Sequence, residues 1–231
     1  MQSSKAVTLA LDTSGSPLLV AVKNGSQQVA RRQKGIKQER LLFPVLTRAL
    51  TACTATLQDV KKICIVRGPG RFTGIRIALT FASMMKYLNH AEIYGATLFD
   101  ILRCQAESSA AFKRFKKQHE NGVLGVVLHA FREEYFLQIF DGKDSKPLWL
   151  SCEELLARLA AYPAPLFLAG SDKNGASLAE LTGGKYPLAA DKDCRVRPAT
   201  LLALAEHDAC KQDALEPLYL KPARFELIEP K

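Results

Sequence analysis

Apolar residues from position 7 to 33 fall in short runs separated by turns, which is the rhythm of strands. VTLAL (7–11) is a continuous apolar run, as expected of a strand buried on both faces, and SPLLVAV (16–22) returns after Gly15-Ser16-Pro17. Asn24-Gly25 is a strong hairpin signal, so QQVARRQ (27–33) is predicted as the third strand. The period then changes to that of a helix. In KQERLLFPVLTRALTAC, Leu42, Val45, Leu46, Ala49, Leu50 and Cys53 recur at helical spacing, with Pro44 near the start, where proline is tolerated best. KKICIV (61–66) predicts another buried strand, VRGPGRFTGIR (66–76) a glycine-rich loop, and GIRIALTFASMMKYL (74–88) a helix. EIYGAT (92–97) closes the unit as a strand and LFDILRCQAES continues as helix.

The second half repeats the order. VLGVVLHAF (123–131), EYFLQIF (134–140) and PLWLS (147–151) predict three strands, with a turn at Asp141-Gly142-Lys143-Asp144. Helix CEELLARLAAY, strand PLFLAGS (165–171) and helix PATLLALAEHDAC (198–210) follow. Three antiparallel strands feeding a helix, a strand and a helix, twice over, predict an α/β fold of duplicated ribonuclease-H-like units. The expected division is a first domain over 1–110, a basic linker over 111–122 and a smaller second domain over 123–231. One helix stands apart: 74–88 is apolar on more than one side, and a helix that covers only a sheet needs a single stripe. Its second apolar side predicts that another helix packs there.

Composition changes this picture in two respects. The chain of 231 residues is 48% hydrophobic and 24% charged, as in an ordinary globular protein, and no apolar run reaches the ~20 residues of a membrane helix. The N-terminus, where Asp12 interrupts the apolar run, does not read as a signal peptide, so a cytoplasmic location without a membrane partner is expected. The six cysteines contain no C-x-x-C pair, which argues for free thiols rather than a disulfide framework or thiolate zinc site. The formal charge of +9 attracts polyanions, nucleic acid first among them. Its densest run, AFKRFKKQHE (111–120), reads as a solvated linker, with RNA phosphates as the other contact its cations could make.

The loop does not satisfy the two common phosphate-binding patterns. Ile75-Arg76 follows Gly74 where a Walker A loop needs Lys-Ser/Thr, and the spacing Gly68, Gly70, Gly74 misses G-x-G-x-x-G by one residue. What remains is physical: glycines allow close backbone approach, and the helix beyond offers free amides to an anion. A tight turn with no ligand fits the loop equally well. Asp12-Thr13-Ser14, at the end of the first strand, lies where duplicated phosphotransferases of the sugar kinase, Hsp70 and actin superfamily hold magnesium and phosphate. An Asp capping its own turn is the other reading.

ALDTSGSPLLVAV, QERLLFPVLTRAL, VRGPGRFTGIRIAL and EPLYLKPA together resemble the TsaB, or YeaZ, family. The resemblance is close from about residue 7 to about 100 and looser beyond. It implies the partner subunit of TsaD in the bacterial pathway that places threonylcarbamoyl on N6 of adenosine 37 of ANN-decoding tRNAs. The sequence departs from the family's pattern at three places. Arg71 replaces a usual Ser, Lys37-Gln38-Glu39-Arg40-Leu41 replaces H-S-E-R-L, and His129-Ala130-Phe131-Arg132 replaces an Asp-Ala-Arg, which leaves a ligand role of the second domain in question.

The resemblance further implies that TsaD carries the chemistry with a histidine pair on a helix. The four histidines here, His90, His119, His129 and His207, have no i, i+3 or i, i+4 pair, so this chain cannot build that site. A non-catalytic subunit is therefore expected, with no catalytic residue, metal or cofactor of its own and with nucleotide only at the interface with its partner. The partner face is expected on Leu42, Leu46 and Leu50 of the first helix with Ile77, Phe81, Met84 and Met85 of the second, although burial in the chain's own core would explain each equally well. The same face predicts an isologous homodimer when the chain is alone, and Phe81→Asp is expected to abolish both assemblies without unfolding the monomer. A TsaE-like ATPase, and tRNA through the complex, complete the expected partners. Asp12, Thr13, Ser14, Gly68, Gly70, Arg71, Gly74 and Arg76 are expected to imitate a phosphate loop that launches the partner-binding helix, with Arg71 and Arg76 adding charge toward tRNA or a nucleotide held by the complex. Two other classes stay open: a magnesium-dependent phosphohydrolase or kinase-like enzyme using Asp12 and the 67–74 loop, and a peptidase.

Overall fold

The computed structural model describes residues 6–35, 37–142, 145–212 and 215–221. They form two compact units, Met1–Leu98 with Arg197–Leu218, and Phe99–Val196 with Tyr219–Lys231.

The first unit is built on β1 (Val7–Asp12), whose six side chains are all buried. It pairs antiparallel with β2 (Leu18–Asn24) and parallel with β4 (Val60–Val66). With β3 (Gln27–Gln33) and β5 (Glu92–Ala96) the sheet has five strands in the order β3-β2-β1-β4-β5. The hairpin turn is Gly25-Ser26, one residue beyond the sequence signal, because Asn24 pairs with Gln27 and Gly25 supplies the positive φ of 57°. Strand alternation divides this sheet into two unlike faces. Leu9, Leu11, Val20, Ile63 and Ile65 pack with Leu42, Leu46 and Leu50 of α1 (Gln38–Ala52) and with Ala78, Phe81 and Met85 of α2 (Phe72–Asn89). The register puts small residues, Ala10, Ala21 and Cys64, side by side on the other face.

In the second unit β6 (Val123–Phe131) pairs antiparallel with β7 (Glu134–Phe140) and parallel with β9 (Leu166–Ser171), and β8 (Leu148–Ser151) completes the order β8-β7-β6-β9. α5 (Cys152–Ala160) opens with a capping box between Ser151 and Glu154 and buries Leu155 and Leu159 against this sheet. α6 (Leu178–Leu181) adds Leu178 to the same core. The two strand orders, each with three antiparallel strands followed by a helix and a parallel strand, are those of a duplicated ribonuclease-H-like fold.

Four expectations need correction. The helix at 198–210 is shorter, α7 (Pro198–Leu204), and packs on β1, β2 and β4 of the first unit, where the small residues leave room for it. Residues 123–231 are therefore not one domain: Leu201, Leu202 and Leu204 supply apolar surface to the sheet that precedes them by more than a hundred residues. The division at 110 also moves, since α3 (Leu98–Ser108) belongs to the second unit from Phe99 onward. The predicted linker is helix α4 (Ala110–Gln118), with Phe115 buried in the second unit. Residues 143–144 of the predicted turn and 222–223 of EPLYLKPA lie outside the described residues.

Candidate functional site

The large exposed apolar side chains of the first unit, among the described residues, lie on α1 and α2. α2 is flanked by Arg71, whose extended backbone forms its N-cap position, and by His90, its C-cap, in the left-handed conformation with φ 52°. Its inner side, Ile75, Ala78, Phe81, Ala82 and Met85, is buried in the core. Its second apolar side exists and is open: Phe72 is 53% exposed, Tyr87 83% and Leu88 61%, with Ile77 and Met84 half-buried between. α1 adds Phe43, 51% exposed and edge-on to Phe81 at 6.1 Å between ring centroids. Between the helices runs an open groove of about 470 Å³ lined by Leu42, Phe43, Phe72, Ile77, Phe81 and Met84, with Glu39 and Arg76 on its polar rim.

The predicted interface residues therefore separate by depth. Leu42, Leu46, Leu50, Phe81 and Met85 are at most 4% exposed and belong to the chain's own core, although Leu42 and Phe81 floor the groove. Ile77 and Met84 are accessible. Helical spacing identifies an apolar position without telling which of two apolar sides faces the sheet, which is why Phe43, Phe72 and Tyr87 were missed. A large aromatic among polar neighbours was the available signal, as in Arg71-Phe72-Thr73.

At the N-terminal end of α2 the glycine loop closes over the DTS turn. The Ser14 amide and hydroxyl both donate to Asp12 Oδ1, at 2.9 and 2.6 Å, and the Thr13 hydroxyl donates to the Gly74 carbonyl at 2.6 Å. The Arg71 amide donates to the Ser14 carbonyl at 2.7 Å. Gln38, buried at the start of α1, donates to the Gly15 carbonyl at 2.5 Å and fastens the turn from a second side. Contact is so close that a Cβ on Gly70 would stand 2.5 Å from the Ser14 carbonyl oxygen. Gly68, at φ 131°, backs onto Leu218, whose amide donates to the Arg67 carbonyl at 2.7 Å. The hydroxyls and the loop amide that could receive a phosphate are thus engaged within the chain. Burial raises the Asp12 carboxyl above its usual 3.8, and the Ser14 hydrogen bonds and the positive charge of Arg32 oppose that shift without overcoming it. Arg71 and Arg76 are exposed, with the Arg76 guanidinium carbon 3.9 Å from the centre of the Phe72 ring.

Elsewhere the polar groups pair locally. In the second unit Tyr135, fully buried, donates to Asp172 Oδ1 at 2.5 Å, and His129 stands edge-on to the Tyr135 ring. The six cysteines are free thiols, and among the described residues no three His, Cys, Asp or Glu side chains lie close enough to hold a metal ion. No helix among them is long and apolar enough to cross a membrane.

The strand orders define the class: a duplicated ribonuclease-H-like fold. Within that class the similarity is to the TsaB, or YeaZ, proteins. YeaZ from Pseudomonas aeruginosa has the same fold, with a TM-score of 0.65 at 21% identity over 93% of this chain and 100% of that one. The tRNA threonylcarbamoyladenosine biosynthesis protein TsaB of Bacillus subtilis is 22% identical over 94% of this chain and 95% of its own length. Its namesake from Buchnera aphidicola is 28% identical over 48% of this chain and 51% of its own length. Residues 27–109, which include α1, the glycine loop and α2, match the family model described as TsaD: tRNA N6-adenosine threonylcarbamoyltransferase.

Proposed function

We propose that this chain takes part in tRNA threonylcarbamoyladenosine biosynthesis as a non-catalytic cytoplasmic subunit. It binds and stabilises a TsaD-like catalytic subunit through the α1–α2 face and helps to recruit a TsaE-like ATPase, with tRNA met through the complex. The observation that carries this reading is the open apolar groove between α1 and α2, lined by Leu42, Phe43, Phe72, Ile77, Phe81 and Met84, with Tyr87 and Leu88 exposed further along α2. An exposed apolar patch with a polar rim is the mark of a protein-binding surface. The match of residues 27–109 to a TsaD model supports a partner of similar build, because the matched stretch is the one that contains α1 and α2. Alone, the chain covers the groove as a homodimer.

The engaged hydroxyls of Thr13 and Ser14 speak against a nucleotide site of the chain's own. A nucleotide then enters only at the interface with the partner, where Arg71 and Arg76 add charge. The test is reconstitution with the TsaD-like subunit, the TsaE-like ATPase, an unmodified ANN-decoding tRNA transcript and the precursors. Modified adenosine should form with this chain and at least tenfold more slowly without it. Equal rates would overturn the proposal, and magnesium-dependent ATP binding by the isolated chain, lost in Asp12→Ala, would favour the phosphohydrolase reading instead.

A further inference from the structure

We infer that the exposed side of α4 is a binding surface for the phosphate backbone of RNA. The segment AFKRFKKQ is a fixed helix rather than a loose tether. The Ser109 hydroxyl caps its start by accepting from the Phe112 amide at 3.1 Å, and the Lys116 ammonium closes its end by donating to the Glu120 and Gly122 carbonyls at 2.7 and 2.9 Å. Phe115 is 5% exposed, and its ring and that of Phe112 lie 5.5 and 5.3 Å from the ring of Phe167 on β9. With the aromatic side held inside, Lys113, Arg114 and Lys117 are displayed on the opposite side within an arc of about 100°, given 3.6 residues per turn. All three are exposed, and none forms an ion pair among the described residues.

Helix stability alone does not explain these cations. The helix dipole favours positive charge in the last turn, which accounts for Lys116 and Lys117 but not for Lys113 and Arg114. Lys113 and Lys117 form a like-charged i, i+4 pair, which weakens a helix, and α4 contains no carboxylate to offset it. A polyanion supplies the missing counter-charge. Among polyanions, a lipid surface is held most firmly by a basic helix that also inserts a free apolar side, and the phenylalanines of α4 are occupied. A protein partner would need a buried anchor pocket, whereas this side offers only flexible ammonium and guanidinium groups matched to phosphate oxygens. The chain's charge of +9 extends the same attraction to long range.

The surface stands on α4 alone and is independent of the α1–α2 groove. Its test is binding of a fluorescent, unmodified tRNA transcript to the full chain at increasing salt, compared with the triple variant Lys113→Gln/Arg114→Gln/Lys117→Gln. Loss of three phosphate contacts should flatten the slope of log affinity against log salt by about 2 to 3 and weaken binding tenfold or more near 0.1 M salt. The equally charged control Arg31→Gln/Lys185→Gln/Lys192→Gln should keep the wild-type slope, and Tyr87→Asp/Leu88→Asp should bind RNA like the wild type. Circular dichroism spectra matching the wild type should accompany each variant, as the check that it remains folded. The inference is overturned if both charge triples lose affinity equally, or if the chain does not bind RNA. It is also overturned if vesicles of phosphatidylserine and phosphatidylcholine are bound as tightly as RNA with the same loss in the α4 variant.

Discussion

A Cβ on Gly74 would stand 1.9 Å from the Thr13 carbonyl oxygen, whereas one on Gly15 would meet nothing within 4 Å. Gly74→Ala should therefore cost about 1–3 kcal/mol, lowering the thermal midpoint by roughly 2–4 °C per kcal/mol, while Gly15→Ala should stay within about 0.5 kcal/mol. Equal midpoints for the two variants would mean that the loop does not close on the turn. Asp12 carries a pH signature whose sign follows from its burial. Well below pH 3.8 the carboxyl is protonated in both states; as pH rises through 3.8 the unfolded chain ionises first, so the folded state loses stability until its own, raised carboxyl ionises. Asp12→Asn should be free of this fall, and thermal melts between pH 3.5 and 7 should show the variant gaining on the wild type as pH rises. A wild type that gains on the variant instead would show that the Ser14 hydrogen bonds or a nearby cation outweigh the burial of the carboxylate. The residues of this turn were legible in the sequence as types, Asp, Thr, Ser and Gly, because each has a narrow set of uses. Their mutual engagement was not, because Gln38 and Leu218, which lock the turn and the loop, are distant in the chain.

Among elements, α2 was legible in period and in having two apolar sides, since its composition departs from a single stripe. Which side faces the sheet depends on the rotation of the helix on β4 and β5, and sequence spacing leaves that free. Phe81→Asp consequently changes meaning. At 4% exposure Phe81 is core as much as groove, so the variant should lose on the order of 3–5 kcal/mol and unfold rather than leave a folded monomer. Tyr87→Asp and Leu88→Asp, at 83% and 61% exposure, should each change stability by about 0.5 kcal/mol or less while weakening self-association. Urea unfolding of the three variants separates these cases, and a Phe81→Asp protein as stable as the wild type would refute the placement of α2. α4 shows the opposite error of reading. Its four cations conceal Phe112 and Phe115, three residues apart on one side, which is the spacing of a helix anchored in a core.

At the scale of the molecule, the repeated order of elements made the duplicated fold legible, because strand and helix periods survive divergence of the individual residues. The division of the chain was not legible in the same way. α7 carries the apolar pattern of any amphipathic helix, and only the small residues Ala10, Ala21 and Cys64, paired across three strands, create the surface on which it rests. The first unit thus takes its sheet and two outer helices from one end of the chain and the helix on the opposite face from near the other. This leaves α1 and α2 with an apolar side that no described element of the unit covers, which is the central claim. It is tested most directly by the light-scattering mass of the full chain, eluted alone and then mixed with the TsaD-like subunit of the same organism. A homodimer that converts to a one-to-one heterodimer is expected, with both assemblies lost in Tyr87→Asp/Leu88→Asp; a monomer mass in both runs would rule out a partner face on α1 and α2.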